Sequence, residues 1–570
     1  MTARLTFGRG SSLAAHVPLM AALLFAIVYF PLVVYPYAVR GITFYDEMLM
    51  FHATDRELQG QTHFRDFYGR RNGPPGIEWF LAPHIMAWGH SNAAIISARI
   101  TNVLLLFLTG IMVFALGRRC AGPWVGTTAA VLLWTNQAAM RNAGFAMTEI
   151  PATFFVVLAI WLAFGSDNRL RLVPAGIAAG LAAFFRIEAA ILILPLTLAV
   201  LMFGGAQRTR RAVYTVLAFL APWGLYLAWL GAKGLVPGFL MCVVKINAVE
   251  SVRLAWHPTP LRFAEVLNVW PALGAWNLTG LDVTKVAYLL GIWHPSVGLL
   301  FAMFAGASVA LLAAIGLAGT LRRPARPAGR AVALALCGAA VLWYGFFLVI
   351  HRLTDPILLN KLCVMPSPGL ALALALGLRS AALYVRNAGQ GGRVQFALAP
   401  YVVAVGAAAV VAWLPLPRSL PVEPFRATAT DPWRVNDVVV QYVKDRGAAG
   451  SVVTDSPLLL FLLGQPTSFW DSKWVREGHD KAGITSFFPH ESFRADSLQK
   501  TLGGPLLITR WNYDWDPVRA EAWDPEGYRF IETHYRPDAE VGYYFYLLEP
   551  DGRPGKQTAW LMGFRVFRLR

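Results

Sequence analysis

Long apolar runs recur along this chain, and they constrain its fold more than any other feature. The first extends from Ala14 to Tyr37 without a charged residue. A helix needs about 20 apolar residues to cross the hydrocarbon of a bilayer. Inside lipid every backbone polar group must be satisfied within its own element, so such runs fold as helices. The pattern predicts spans at 15–38, 94–117, 122–139, 150–165, 172–187, 189–204, 212–231, 297–320, 330–350, 362–384 and 396–416, about eleven in all. A further half-helix is expected at 284–296, leading into the eighth span. Only 15% of the residues are charged, against about 25% in soluble proteins. The first run is too long for a signal-peptide core and no small-residue cleavage site follows it, so it is expected to remain as an uncleaved helix.

Charge then orients the bundle. The net charge is +17 and the pI is near 9.9, a balance that would suit a nucleic-acid partner in a soluble chain. Here the cations sit in the short links between apolar runs, where the positive-inside rule places them. Arg118/Arg119, Arg169/Arg171, Arg208/Arg210/Arg211, Arg322/Arg323/Arg326/Arg330 and Arg386/Arg393 all fall in alternate links. The intervening short links are poorer: 140–149 holds Arg141, and 351–361 holds Arg352 and Lys361. This pattern predicts a multi-pass membrane protein with a cytoplasmic N-terminus and no nucleic-acid partner; for a bacterial source that membrane is the cell inner membrane. Three regions are then extracytoplasmic: a first outer loop, 40–92; a second from Ala232 to about Lys285; and the tail, 418–570. The four cysteines, Cys120, Cys242, Cys337 and Cys363, have no metal-ligand spacing and read as small buried hydrophobes.

Two domains follow: a transmembrane unit, 1–417, and a soluble extracytoplasmic α/β unit, 418–570, large enough for its own core. In the tail, Val435–Asp445 reads as an amphipathic helix, Ser451–Thr454 as a strand and Leu458–Leu463 as helical. Pro505–Ile508, Tyr528–Ile531, Tyr543–Leu548 and Phe564–Leu569 read as strands.

The chemistry concentrates in the first outer loop. Asp46 and Glu47 stand side by side just beyond the first span, opening the stretch FYDEMLMFHATDREL. Acids favour the first turn of a helix, which is a sufficient structural reason for one of them. Carboxylates at a membrane exit are costly and dispensable for spanning, which favours a functional reason for the pair. On a helix, neighbours point about 100° apart, so the two acids divide their roles: one faces the reaction and the other holds the loop or a basic partner. Pro74 and Pro75 suit a helix start, and Ile77, Leu81, Ile85 and Trp88 then share one face. That stretch is expected to lie on the outer surface as a helix, kinked at Pro83. Further along the predicted outer side come Glu149 before the fourth span, Arg186 and Glu188 between spans five and six, and His351, Arg352 and Lys361 before span ten. Glu149 also fits an ordinary helix start, the Arg186/Glu188 pair a local ion pair, and Lys361 a snorkelling cation.

Taken together, the acidic pair in a long first loop, the acid before the fourth span, the stretch GIAAGLAAFFRIEAAILILP from Gly176 to Pro195 and the basic, proline-rich entry to a late span resemble the GT-C glycosyltransferases. Within that superfamily the chain is most similar to the bacterial protein mannosyltransferase and lipid A aminoarabinose transferase group, over roughly 15–385. The resemblance implies a GT-C type bundle and inverting transfer of a sugar from a polyprenyl-phosphate donor on the extracytoplasmic face. It implies that Asp46 is the catalytic base and that Glu149 matches the family's acid at the start of the fourth span; Glu47 is a further catalytic candidate. Glu149 stands where the family frequently has Asp, and Lys361-Leu362 where it often has Arg-Tyr.

The expected chemistry needs a base for the acceptor hydroxyl and cations for the departing lipid phosphate. Lys361, Arg352 and Arg65 are the phosphate candidates, and Arg186, Glu188 and His351 the substrate-binding candidates. The acceptor is a glycan, a lipid or a protein. The chain has no glycine-rich phosphate loop, and its first loop has no Asp-Xaa-Asp signature, so no metal or other cofactor is assigned, although a carboxylate pair could hold a divalent ion. The alternative is a transporter or flippase for a lipid-linked sugar. Two observations weigh against it: the charges gather at helix ends rather than mid-membrane, and there are no repeated halves.

Overall fold

In a computed structural model of the chain, the described residues are 16–39, 45–67, 75–165, 171–245, 311–322, 327–350, 364–388, 422–424, 432–446, 452–454, 456–465, 506–511, 533–548 and 554–570. The membrane-like part is a helical bundle, as the apolar runs predict. Helix α1 (Val17–Tyr29) passes through a π-helical turn, Phe30–Val34, into α2 (Tyr35–Val39). Two helices of the first loop follow, α3 (Tyr45–Leu58) and α4 (Gly76–Trp88). Then come α5 (Asn92–Ala121), α6 (Pro123–Trp134), α7 (Gln137–Ala143), α8 (Glu149–Phe164) and α9 (Leu172–Phe185). They are followed by α10 (Ile193–Phe203), α11 (Arg208–Ala232) and the short α12 (Val236–Phe239). Beyond them stand α13 (Leu311–Leu321), α14 (Pro327–Ile350) and α15 (Ser367–Ala388).

Among the described residues four helices are long and apolar enough to cross a bilayer by length and composition: Val17–Val34, Asn92–Ala121, Gly205–Ala232 and Ser367–Tyr384. Several predicted spans therefore appear as shorter apolar helices. The span predicted at 122–139 divides into α6 and α7. The one at 189–204 begins with a 3-10 turn, Ile187–Leu192, before α10. The span at 396–416, the half-helix at 284–296 and most of 297–320 lie outside the described residues, as does Cys363. Helix α4 forms where the one-face spacing predicts it. Pro83 sits inside it and does not end it.

Without a hydrophobic force between helices in lipid, close association depends on small residues at the contacts. The α5–α6 hairpin shows this. A methyl at Gly126 would strike the carbonyl of Phe114, and one at Gly117 would meet Gly126 itself. Gly126→Leu is therefore expected to cost about 1–3 kcal/mol by overpacking. The thermal midpoint of the purified protein is the measurement that checks it. Cys120 and Cys337 are buried within the bundle core.

The tail is α/β as predicted. Strands β1 (Val422–Pro424), β2 (Val452–Thr454), β3 (Leu506–Trp511), β4 (Tyr535–Leu548) and β5 (Pro554–Leu569) form one sheet in the order β1-β4-β5-β3-β2. Only the β2–β3 pair is parallel. Two helices accompany it, α16 (Pro432–Asp445) and α17 (Pro457–Leu463). Ser456 caps α17, its hydroxyl accepting from Leu459 N–H, and Gly464 ends it in the left-handed conformation. The strand expected at Tyr528–Ile531 lies outside the described residues.

The two parts meet in one buried cluster. Met48, Met50 and Phe51 of α3 pack with Ile77 and Leu81 of α4, and with Trp433, Leu458, Phe461 and Leu462 from the tail. Helix α3, which carries the acidic pair, is thus held between the bundle and the tail.

Candidate active site

Glu47 and its surroundings are the most strongly determined part of the site. Arg99, near the start of α5, has a fully buried side chain. It donates from Nε to Glu47 Oε1 at 2.8 Å and from Nη2 to Oε2 at 2.5 Å. The backbone N–H of Ala146 donates to the same Oε1 at 2.7 Å. A buried carboxylate persists as an ion only when it is paired and its lone pairs are satisfied, and both conditions are met here. Arg99 also donates to the carbonyl of Ala38 at 3.3 Å. Its guanidinium lies over the rings of Phe145, at 5.3 Å, and Trp433, at 5.2 Å. Trp433 donates its indole N–H to the carbonyl of Val39 at 2.7 Å. One ion pair thus joins the end of the first membrane helix, the start of the loop helix, α5 and the tail.

Asp46 occupies the second position of α3, one helical step of about 100° from Glu47. Glu149, buried at the start of α8, accepts from Arg186 Nη1 at 2.5 Å. Arg186 follows α9 and also reaches Glu188 Oε1, at 3.5 Å. The structure therefore joins three of the residues expected at the site, Glu149, Arg186 and Glu188, into one chain of charges. Arg65 stands elsewhere in the loop, exposed, and is bound to Asp66 at 3.0 Å and to Thr62 at 2.9 Å. Its guanidinium holds the Asp66 carboxyl below the ordinary carboxylate range. His351, Arg352 and Lys361 lie outside the described residues. Among the described residues no group of three or more His, Cys, Asp or Glu is gathered to hold a metal ion.

A second polar cluster pins α3 to the tail. His52 Nε2 lies 3.2 Å from the carbonyl of Gln465, His90 Nε2 lies 2.7 Å from Asp55 Oδ1, and Gln59 donates to Asp55 Oδ2 at 2.8 Å. Burial pushes the His52 pKa down to about 3, with Arg56 adding to the fall and the Gln465 carbonyl opposing it. Burial raises the Asp55 carboxyl, against the bonds from His90 and Gln59.

These shifts have opposite signs for stability. Between about 3 and the ordinary 6.5, the unfolded chain holds a proton on His52 that the folded chain refuses, so stability falls as the pH falls. Asp55, with its folded pKa raised, works the other way, in a window that opens at its ordinary 3.8. Stability is therefore expected to fall from pH 6.5 to pH 5.5 by up to about 1.4 kcal/mol, read as a drop in the thermal midpoint of the purified protein. His52→Gln should flatten that slope.

Arg99, His52, Asp55, His90 and Trp433 are absent from the site read from sequence. An arginine inside an apolar run was the available signal for Arg99, because charges in such segments come with partners. Trp433 had none: its contact with Val39 spans 394 positions of chain.

Comparison with known proteins gives a consistent result. Residues 72–229 match the family of dolichyl-phosphate-mannose-protein mannosyltransferases. No curated protein matches the chain by sequence. Among solved structures, ArnT from Cupriavidus metallidurans bound to undecaprenyl phosphate is similar at a TM-score of 0.51 and 14% identity, over 97% of this chain and 98% of that one. The same enzyme in its apo state gives 0.53 at 13% identity, over 97% and 98%. The oligosaccharyltransferase of Archaeoglobus fulgidus, in complex with Zn and sulfate, gives 0.50 at 15% identity, over 96% of this chain and 73% of that one. The chain therefore shares the fold of these proteins, the GT-C type that the resemblance implies.

Proposed function

We propose that this protein is an inverting glycosyltransferase that moves a sugar from a polyprenyl-phosphate donor to an envelope acceptor on the extracytoplasmic face of the bacterial inner membrane. The observation that carries the reading is the anchoring of Glu47, the neighbour of Asp46. Glu47 is fully engaged by Arg99 and Ala146, and so sets the place of the helix turn that bears Asp46. The family match over 72–229 and the fold shared with an enzyme crystallised with undecaprenyl phosphate support the donor class.

In this reading Asp46 is the general base. The acceptor hydroxyl attacks the anomeric carbon from the face opposite the phosphate. A new C–O bond forms as the bond from that carbon to the phosphate oxygen breaks. The electron pair leaves with the lipid phosphate and the hydroxyl proton passes to the Asp46 carboxylate. Cations must stabilise the departing phosphate. Lys361 and Arg352 are assigned to it, with Arg65 as a third candidate that would first have to release Asp66. Glu47 is a positioning residue. Glu149, Arg186 and Glu188 form a coupled set assigned to the substrate, with His351. Glu47 and Glu149 are each paired with an arginine.

The test compares a deletion strain with the same strain restored by wild type, by mass spectrometry of envelope glycolipids, glycans and glycoproteins. Loss of one sugar from one species, restored by wild type, is the expected result and names both sugar and acceptor. A lipid-linked sugar that accumulates on the inner leaflet in the deletion strain would instead favour a flippase.

A further inference from the structure

A cavity of about 740 Å³ lies at the far end of α3 from the acidic pair, enclosed by the first loop, α4, α9 and α11. Glu57 and Asp46 belong to the same helix, and the positions between them span about 16 Å of helical rise, so this cavity lies apart from the carboxylate proposed as the base. Its wall is aromatic. Trp79 stacks on Phe184 at 5.5 Å, Phe184 meets Tyr226 at 5.3 Å, and Tyr226 stacks on Trp229 at 5.9 Å. Among the described residues no Lys or Arg lines it, and Glu57 is its carboxylate. Glu57 Oε1 lies 3.2 Å from His63 Nδ1.

The loop on this side is held in a costly shape. Phe64 has a φ of +66°, a conformation that side-chain-bearing residues rarely adopt. Its N–H bonds the Phe67 carbonyl at 2.9 Å, and the His63 ring stacks on both phenylalanines. Strain of this kind persists where the surroundings enforce it, and it gathers at ligand clamps.

The mouth opens beside a helix of membrane-spanning length. Leu225 and Trp229 line the cavity and are also exposed on α11, a helix of membrane-spanning length, at the end away from Arg208, Arg210 and Arg211. Trp79, also lining, is 56% exposed. Tryptophans at such a position lie at the headgroup level. An aromatic wall with one carboxylate attracts an ammonium group through the ring faces and through charge.

We propose that this cavity is a binding site for the ammonium headgroup of an outer-leaflet aminophospholipid, separate from the site of transfer. The ammonium sits among Trp79, Tyr226 and Trp229 and against Glu57, and the acyl chains pass out past Leu225. The cavity's separation from the site of transfer rests on the reading of Asp46 as the base; the binding of the ammonium group does not.

The experiment places the full-length protein in nanodiscs of equal phosphatidylethanolamine and phosphatidylglycerol, releases it, and counts retained lipid by native mass spectrometry. Wild type is expected to retain phosphatidylethanolamine over phosphatidylglycerol by about tenfold. Glu57→Gln and Trp79→Leu should each bring the ratio near one. Glu57 is partly exposed, its side chain at 29%, so its amide variant keeps the fold and decides the matter if Trp79→Leu does not express. Equal retention of the two lipids by wild type, or an unchanged ratio in Glu57→Gln, overturns the proposal. Displacement of the retained lipid by millimolar free glucosamine would also overturn it, assigning the cavity to a sugar amine instead.

Discussion

Asp46→Asn is expected to abolish sugar transfer while leaving the amount of folded protein unchanged. The substitution keeps the size of the side chain and removes its basicity. A general base is worth about 10²–10⁴-fold in rate, and an amide cannot accept the hydroxyl proton. Asp46 is one step from Glu47, whose carboxylate is held by Arg99, so the helix turn that carries position 46 does not need the Asp46 charge to form. In the complemented deletion strain the glycoform that wild type restores should stay absent at matched protein level. Full restoration by Asp46→Asn would show that Asp46 is not the base, and would return the acidic pair to a structural role. Glu47→Gln separates the two acids. It is expected to lower the amount of folded protein along with the product, because its loss is felt through Arg99.

Removing Arg99 is expected to have the largest effect on stability. Arg99→Leu leaves the Glu47 carboxylate buried without its cation, and breaking a buried pair costs about 3–5 kcal/mol. The same change removes the guanidinium that lies between Phe145 and Trp433 and its bond to the Ala38 carbonyl. The end of the first membrane helix, the loop helix and the tail then lose their common anchor. A fall in thermal midpoint and faster proteolysis between 40 and 92 are the readouts. The control is the double variant Arg99→Met with Glu47→Gln, which buries no unpaired charge and should recover most of the stability. If the double variant is no more stable than Arg99→Leu, the packing of Arg99 on the rings outweighs the ion pair. Arg186→Leu should cost less than Arg99→Leu. Arg186 is a little less buried, and its partner Glu149 stands at a helix start, where the dipole gives it other support.

The sequence determined the class of this protein. Apolar runs of bilayer length have one structural solution, so the bundle was legible from hydropathy, and the alternating Arg-rich links carried a prediction of its orientation. The tail was legible as α/β because Ser451–Thr454, Pro505–Ile508, Tyr543–Leu548 and Phe564–Leu569 are short apolar runs flanked by turn residues, and each lies at or within an observed strand. The acidic pair was legible because charge beside lipid is costly. That one member of the pair would hold a basic partner was an expectation of helical geometry, and Glu47 does so with Arg99.

Element lengths were less legible. The divided span at 122–139 and the 3-10 entry to α10 are decided by packing against neighbours, which hydropathy does not record. Only the tertiary structure could say which acid takes which partner. Glu47 meets Arg99, and Glu149 meets Arg186, across separations of 52 and 37 positions, and nothing local in the chain pairs them. Trp433 against Arg99 and Val39, and Gln465 against His52, lie further apart still. Helix periodicity and hydropathy are local properties and are written in the sequence. The place of a buried charge depends on which distant element supplies its counterion, and only the folded chain settles that.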